Sequence, residues 1–424
     1  MNGIISTNRI YITTIFIISY IGSLAFLTSI GISFVPDQIF IPEFIFILYF
    51  PLILFKKQFS IINWDRLDWL LILYLSSNLI SSFISKNEAS IIESCGKIYL
   101  FMIYLLSKQF FKYKNAENYL YITITILLWF LVFTGLIGLS LALFGISSKY
   151  VYYYPNYPYF GTVFRLQGMT PSPTMFISIL SCFLFIYWEK IISTDGQIKL
   201  WSKILLSISA ISIFLTYSKS IILLLLGVIL LLFRFSKLQF GILIVSTTLF
   251  MFFSTNFYIE NSENSVNKEV INTQPLYKFG KYNVYETIYL SRKRVLLNQF
   301  LKNPFWGLGV GNTNSQLADY KKSGTYPETF DSNCDPSCTY LGTLAETGII
   351  GFLICLLIGW HLISLITNAL KKDGIAYGIA VCFVIGSIEA LNTDMLNFRH
   401  YWVLLGFLTI LSTNSKNIDS FSIK

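Results

Sequence analysis

Asn303-Pro304-Phe305-Trp306-Gly307-Leu308-Gly309-Val310-Gly311-Asn312 lies inside a polar stretch, residues 257–337, that decides how the whole chain reads. Around it stand Glu260, Lys278, Glu286, Arg292, Lys293, Arg294, Asp319, Lys321 and Asp335. Almost everything on either side is apolar enough to live in lipid. A polar island of this size between hydrophobic spans is more often functional than merely connecting.

Composition agrees. Hydrophobic residues make up 54% of the 424 and charged residues only 12%, with a mean hydropathy of +0.62. Soluble domains hold roughly 25% charged residues, so the deficit indicates an integral membrane protein. The net charge of +9 is no sign of nucleic-acid binding. The cations are spread over short loops and form no basic stripe, as cations beside an inner-leaflet surface do.

A span needs about 20 apolar residues. Candidates centre on 10–32, 38–55, 67–85, 89–107, 118–144, 171–188, 200–217, 220–235, 238–256, 339–368, 374–391 and 398–413. The expected fold is all-α and polytopic, with about 12 transmembrane helices and one large periplasmic or extracellular loop. The expected division is 1–256 for helices one to nine, 257–337 for the non-cytoplasmic loop, and 338–424 for the last three helices and a cytoplasmic tail. The first run is long enough to stay in the membrane, so no cleavable leader is expected.

Cations fall in alternate loops: Arg9; Lys56, Lys57 and Arg66; Lys108, Lys112 and Lys114; Lys190, Lys199 and Lys203; Arg234 and Lys237; Lys371 and Lys372; Lys416 and Lys424. By the positive-inside rule these loops and both termini are cytoplasmic. The segments 145–170, 217–219, 257–337 and 391–400 then share the opposite face, where any reaction centre is expected.

Cys95, Cys182, Cys355 and Cys382 fall in apolar spans and read as small hydrophobes. Cys334 and Cys338 share the polar stretch. A zinc site would need further ligands close by, and a local disulfide would need an oxidising compartment. No metal constellation or cofactor motif is evident. The glycines at 307, 309 and 311 neither follow a buried strand nor open a βαβ unit, so a nucleotide loop is a poor reading of them. A tight turn approaching a substrate or a helix start fits better.

The candidate chemistry is cationic. Arg165, at the mouth of a span, costs free energy there unless it meets an anion, and its planar fork suits phosphate. Lys219 interrupts an apolar stretch. Arg292 and Arg294 precede the glycine run, and Arg399 opens the last span. Among acids, Asp335 precedes the tenth span and Glu346 lies within it, so both are candidates to orient or deprotonate an acceptor. The aromatic run 150–160, including Tyr153, Tyr154 and Tyr157, reads as an interfacial belt or as a platform for sugar rings.

Asn303–Asn312, followed by Thr339-Tyr340-Leu341-Gly342-Thr343-Leu344-Ala345-Glu346-Thr347-Gly348-Ile349-Ile350-Gly351-Phe352, resembles the signature of the O-antigen ligase and O-antigen polymerase (Wzy-like) family. Arg165-Leu166-Gln167-Gly168 and Thr216-Tyr217-Ser218-Lys219-Ser220 resemble its weaker upstream motifs. The resemblance covers roughly residues 160–355 and implies a GT-C-like enzyme of the bacterial inner membrane. It implies metal-independent glycosyl transfer from sugars on undecaprenyl diphosphate, with membrane lipid and a chain-length regulator protein as partners. The family's diphosphate-binding arginines correspond to Arg165 and to Arg292 or Arg294. Lys219, the tyrosines, Gly307, Gly309, Gly311, Asn312 and Arg399 become candidate substrate contacts. Ligases of the family carry a His-Asn pair where Ser337 and Cys338 stand here, which favours a polymerase. A ligase or protein O-oligosaccharyltransferase, a lipid-linked-oligosaccharide flippase and a non-catalytic assembly scaffold are the alternatives.

Overall fold

The computed structural model describes residues 4–27, 40–55, 64–111, 116–146, 148–157, 161–194, 199–233, 235–261, 275–324, 326 and 336–413. Every expected span coincides with a helix. They are α1 (Ile4–Ser23), α2 (Ile41–Phe55), α3 (Arg66–Ser85), α4 (Glu88–Phe110), α5 (Ala116–Leu143), α6 (Pro173–Thr194), α7 (Leu200–Phe214), α8 (Ile221–Leu232) and α9 (Lys237–Asn256). After the polar stretch come α12 (Thr339–Ala369), α13 (Ile375–Glu389) and α14 (Arg399–Thr413). Among them α3, α4, α5, α6, α9 and α12 are long and apolar enough to cross a membrane, and several others are shorter apolar helices.

The helices sort by burial. α13 and α6 form the centre, and large apolar side chains of α6 such as Phe176, Phe183 and Phe185 are fully buried. Close approach is made possible by small residues: a Cβ on Gly378 of α13 would stand 2.9 Å from Ile186 Cα of α6. Leu238, Ile242, Val245 and Leu249 on α9, and Leu353, Leu356, Trp360 and Ile363 on α12, are instead exposed. In a membrane protein such a stripe faces lipid rather than another helix.

The polar stretch is folded where it is described. Strands β3 (Phe257–Asn261), β4 (Tyr277–Phe279) and β5 (Tyr282–Glu286) form an antiparallel sheet in the order β3-β5-β4. Then come α10 (Ile288–Lys302) and α11 (Leu317–Lys322). The aromatic segment before α6 is an antiparallel hairpin of β1 (Val151–Tyr157) and β2 (Gly161–Leu166), with Tyr152 opposite Arg165. The bundle is therefore all-α with two small sheets at its end.

Both ends are tied by polar contacts. At one end Lys108 Nζ, 1% exposed, lies 2.7 Å from Asp68 and 2.8 Å from Asp65, and Tyr104 donates to Asp68 at 2.6 Å. The α3 N-terminus is closed there by a capping box of Asp65 and Asp68. At the other end gather the hairpin, the α3–α4, α7–α8 and α13–α14 turns, the end of α9 and the start of α12.

Candidate active site

The β1–β2 hairpin mounts Arg165. The Leu166 amide donates to Leu215 O at 3.0 Å, which pins β2 to the turn that follows α7. Arg165 Nε then donates to Thr216 O at 2.9 Å. The two weak sequence motifs, 165–168 and 216–220, thus meet in space.

The 216–220 turn is tight, with Tyr217 at φ +45°. Ser220 Oγ donates to Glu389 Oε1 of α13 at 3.1 Å, which anchors the turn from below. Lys219 Nζ reaches the carbonyl of Ser254 in the last turn of α9. Partial burial lowers the pKa of its ammonium.

α10 folds back from the same end of α9. Thr287 donates through its amide to Asn256 O at 3.0 Å and through its hydroxyl to Thr255 O at 2.6 Å. Three consecutive cations on α10 then take three directions, because helical neighbours are about 100° apart. Arg292 Nη1 donates to Ser337 Oγ at 3.1 Å. Lys293 turns inward, 7% exposed, and donates to Asn256 Oδ1 at 2.9 Å and Asn392 Oδ1 at 2.8 Å. Arg294 points outward, 47% exposed, and pairs with Glu286 at 2.7 Å. Of the two arginines read as alternatives, Arg292 faces the junction with the start of α12, and Arg294 is taken up by an ion pair on β5.

The glycine run seats itself in a broken helix. α12 is interrupted at Gly348, φ +66° and ψ −166°. The Ile349 amide leaves the helical ladder and donates to Pro304 O at 2.8 Å. The freed carbonyls of Ala345 and Glu346 accept from Leu308 at 3.0 Å and Gly309 at 2.9 Å. Glu346 Oε1 accepts from the Gly311 amide at 2.9 Å, and the Ser81 hydroxyl lies 2.6 Å from Glu346 O and 2.5 Å from Trp306 O. A Cβ on Gly307 would stand 2.4 Å from the Glu346 carbonyl, and one on Gly348 2.3 Å from Phe305 O. Asn312 accepts from Asn87 of the α3–α4 turn at 2.6 Å. Gly307, Gly309, Gly311 and Asn312 therefore dock the loop onto α12 and α3–α4, and the expected turn approaches a helix break rather than a helix start.

The remaining candidates stand elsewhere. Arg399 pairs with Glu43 of α2 and lies 4.6 Å from the Phe40 ring centroid, which ties α14 to α2. The Tyr153 ring meets Phe164 edge-on at 5.2 Å. The backbones of Tyr154 and Tyr157 lie in β1. Asp335 and Cys334 lie outside the described residues. Cys338 is buried, and burial pushes its thiol up.

Three participants are hard to single out in the sequence: Lys293, Asn256 and Asn392. A faint signal exists for the last, since Asn392, Asp394 and Asn397 interrupt an apolar region. Lys97 is a fourth, donating to Asn397 at 2.6 Å from inside α4. Chemically, this end offers guanidinium and ammonium groups held at fixed positions by backbone and side-chain oxygens. Such an array can stabilise an anion without reorganising.

Residues 204–356 match the family model described as O-Antigen ligase. That interval holds the 216–220 turn, α10, the glycine run and Glu346; Arg165 lies before it. No curated protein matches the chain.

Proposed function

We propose, for a chain whose residues 204–356 match the family model described as O-Antigen ligase, that it joins oligosaccharide repeat units carried on undecaprenyl diphosphate into a surface polysaccharide. The observation that carries this reading is the convergence of Arg165, Lys219, Arg292 and Lys293 on one end of the bundle. A sugar leaving a lipid diphosphate leaves behind a delocalised anion. Fixed cations stabilise the charge as it develops, and that lowers the barrier of the step. Arg165 and Arg292 are assigned to the diphosphate and Lys219 to its flank.

The acceptor hydroxyl attacks the anomeric carbon as the diphosphate departs, and its proton passes to a base. Glu346 is already committed to the Gly311 amide, so we assign it to holding the loop and keep Asp335 for the acceptor. The Tyr152 face of the hairpin, opposite Arg165 in the strand register, is the surface we assign to sugar rings.

Ser337 and Cys338 at the positions of the ligase His-Asn pair support a polymerase over a ligase. The folded segment between α9 and α12 supports an enzyme over a flippase, which would be expected to keep short loops and an internal charged cavity. The cation pattern supports an inner-membrane placement with cytoplasmic termini and the site on the outer face. The test is polysaccharide length in a deletion strain complemented with wild type, Arg165→Ala or Arg292→Ala, with membrane expression checked. Single repeat units in the variants are expected. Long chains left on the lipid carrier would indicate a ligase, loss of all outward-facing units a flippase, and normal chains in both variants would remove the site.

A further inference from the structure

Lys293 is a buried lysine held by neutral oxygens, as Lys97 is by Asn397. Lys108, deeper still at 1% exposed, is neutralised by Asp65 and Asp68. Lys293 has two asparagine side chains instead, and among the described residues it forms no ion pair. Asn256 is fixed in the required orientation, because its Nδ2 donates to Phe252 O at 2.7 Å and turns its oxygen towards the ammonium. Amide dipoles solvate a cation but do not cancel its charge. A buried charge left uncancelled is costly, so its retention points to a partner that arrives later.

The donor count leaves a place for one. An ammonium has three donors, and the asparagines take two of them. The Phe252 ring, 5.2 Å away, adds a weak cation–π contact. Arg292, the preceding residue, extends to Ser337 at the start of α12. Lys219 binds Ser254 O, two residues before the Asn256 that holds Lys293. Three cations thus converge on the few residues where α9 ends and α12 begins.

We propose that Lys293 is an anion-binding residue of this site, whose ammonium completes its shell with a phosphate-type oxyanion beside Arg292. Resting on the glycosyl-transfer reading, the anion is the diphosphate of the lipid-linked donor. Asn256 and Asn392 are positioning residues that hold the ammonium charged and aimed. A phospholipid headgroup has the same chemistry, and the experiment separates the two sources.

The test uses the full chain, purified in a non-ionic detergent, and follows its thermal midpoint against inorganic pyrophosphate. Wild type, Lys293→Met, Lys293→Gln and Arg292→Ala are compared. Pyrophosphate is expected to raise the wild-type midpoint. Lys293→Met is expected to start at or above the wild-type midpoint, yet to need on the order of tenfold more pyrophosphate for the same rise. Lys293→Gln, which can still donate to the asparagines, is expected to lose the response likewise. Unchanged half-saturation in either folded variant overturns the proposal. Failure of both variants to fold assigns Lys293 to the fold and also overturns it. A rise with phosphatidylglycerol but none with pyrophosphate assigns the cation to a headgroup instead. Polysaccharide length separates the levels. Normal chains with Lys293→Met but single units with Arg292→Ala defeat this proposal alone, whereas normal chains with both Arg165→Ala and Arg292→Ala defeat the glycosyl-transfer reading beneath it.

Discussion

At the scale of single residues, the partner of each cation separates scaffold from site. Lys108 and Arg294 meet carboxylates, and Lys293 meets neutral oxygens. The Arg294–Glu286 pair is open to solvent only on the arginine side, 47% against 10% for Glu286, so Arg294→Ala strands a mostly buried carboxylate and is expected to lower the thermal midpoint while leaving polysaccharide length near wild type. Losing one member of a buried pair costs about 3–5 kcal/mol, so Asp68→Ala is expected to lower membrane expression sharply, as measured by immunoblot. For Lys293 the expectation concerns pH. Burial lowers its pKa in the folded chain relative to the ordinary 10.5. The folded state therefore holds this proton less tightly than the unfolded state, and stability is penalised while both are protonated. The penalty shrinks as pH rises through the folded value and vanishes near 10.5. The midpoint of Lys293→Met is expected to exceed that of wild type at pH 7, with the gap closing by about pH 10.5. A gap that widens with pH would contradict the uncancelled charge. The triplet Arg292-Lys293-Arg294 hides this difference in the sequence, because composition does not show which of three helical neighbours turns inward.

At the scale of elements, the decisive object is α12 broken at Gly348 with the glycine run seated in the gap. Backbone donors and acceptors are exchanged between two segments far apart in sequence: Ile349 to Pro304, Leu308 to Ala345 and Gly309 to Glu346. Glu346 Oε1 adds a side-chain bond from the Gly311 amide. A glutamine retains an acceptor oxygen at that position, but an alanine does not. Glu346→Gln is expected to keep most of the polymer length and midpoint, and Glu346→Ala to lose several degrees of midpoint. Loss of activity in Glu346→Gln with an unchanged midpoint would return Glu346 to the role of base. Gly348→Ala is expected to be worse than either. Its backbone, at φ +66° and ψ −166°, lies in a region essentially confined to glycine and costs on the order of 1–3 kcal/mol for any L side chain, and its Cβ would collide with Phe305 O. The glycines announced a tight turn in the sequence, since positive φ is what glycine is for. Their partner was not legible, because nothing in a local pattern says that an apolar helix will open its own hydrogen-bond ladder to receive a loop. The hairpin was hidden for a related reason: an aromatic run satisfies an interfacial belt and a β-strand equally well.

At the scale of the whole molecule, each apolar window read from hydropathy falls on a helix among the described residues, because a segment that crosses lipid must be apolar over a minimum length whatever the packing. Contacts then place the segments 165, 216–220, 254–257, 287–293, 337–346 and 390–399 at one end. Parity of the cation-rich loops had assigned them to one face, and the two arguments are independent, one electrostatic and one geometric. α12 links the ends, with 31 residues, more than the roughly 20 a bilayer needs. The part after Gly348 suffices for the span, so the part before it, with Glu346 and the docked loop, stands at the rim. The orientation is testable by labelling single cysteines in a cysteine-free background. Lys278→Cys on the exposed β4 strand is expected to react with a membrane-impermeant maleimide on intact cells or spheroplasts. Lys371→Cys, just past α12, and Lys203→Cys on α7 are expected to react only after permeabilisation. The reverse pattern would invert the molecule. It would place the cations on the cytoplasmic side, where they would meet lipid-diphosphate substrates before translocation, and the assignment as a polymerase of outward-facing repeat units would fall with it. Equal labelling of all three on intact cells would reject the bundle's polarity altogether, because the part of α12 after Gly348, long enough to span on its own, cannot begin and end on the same side.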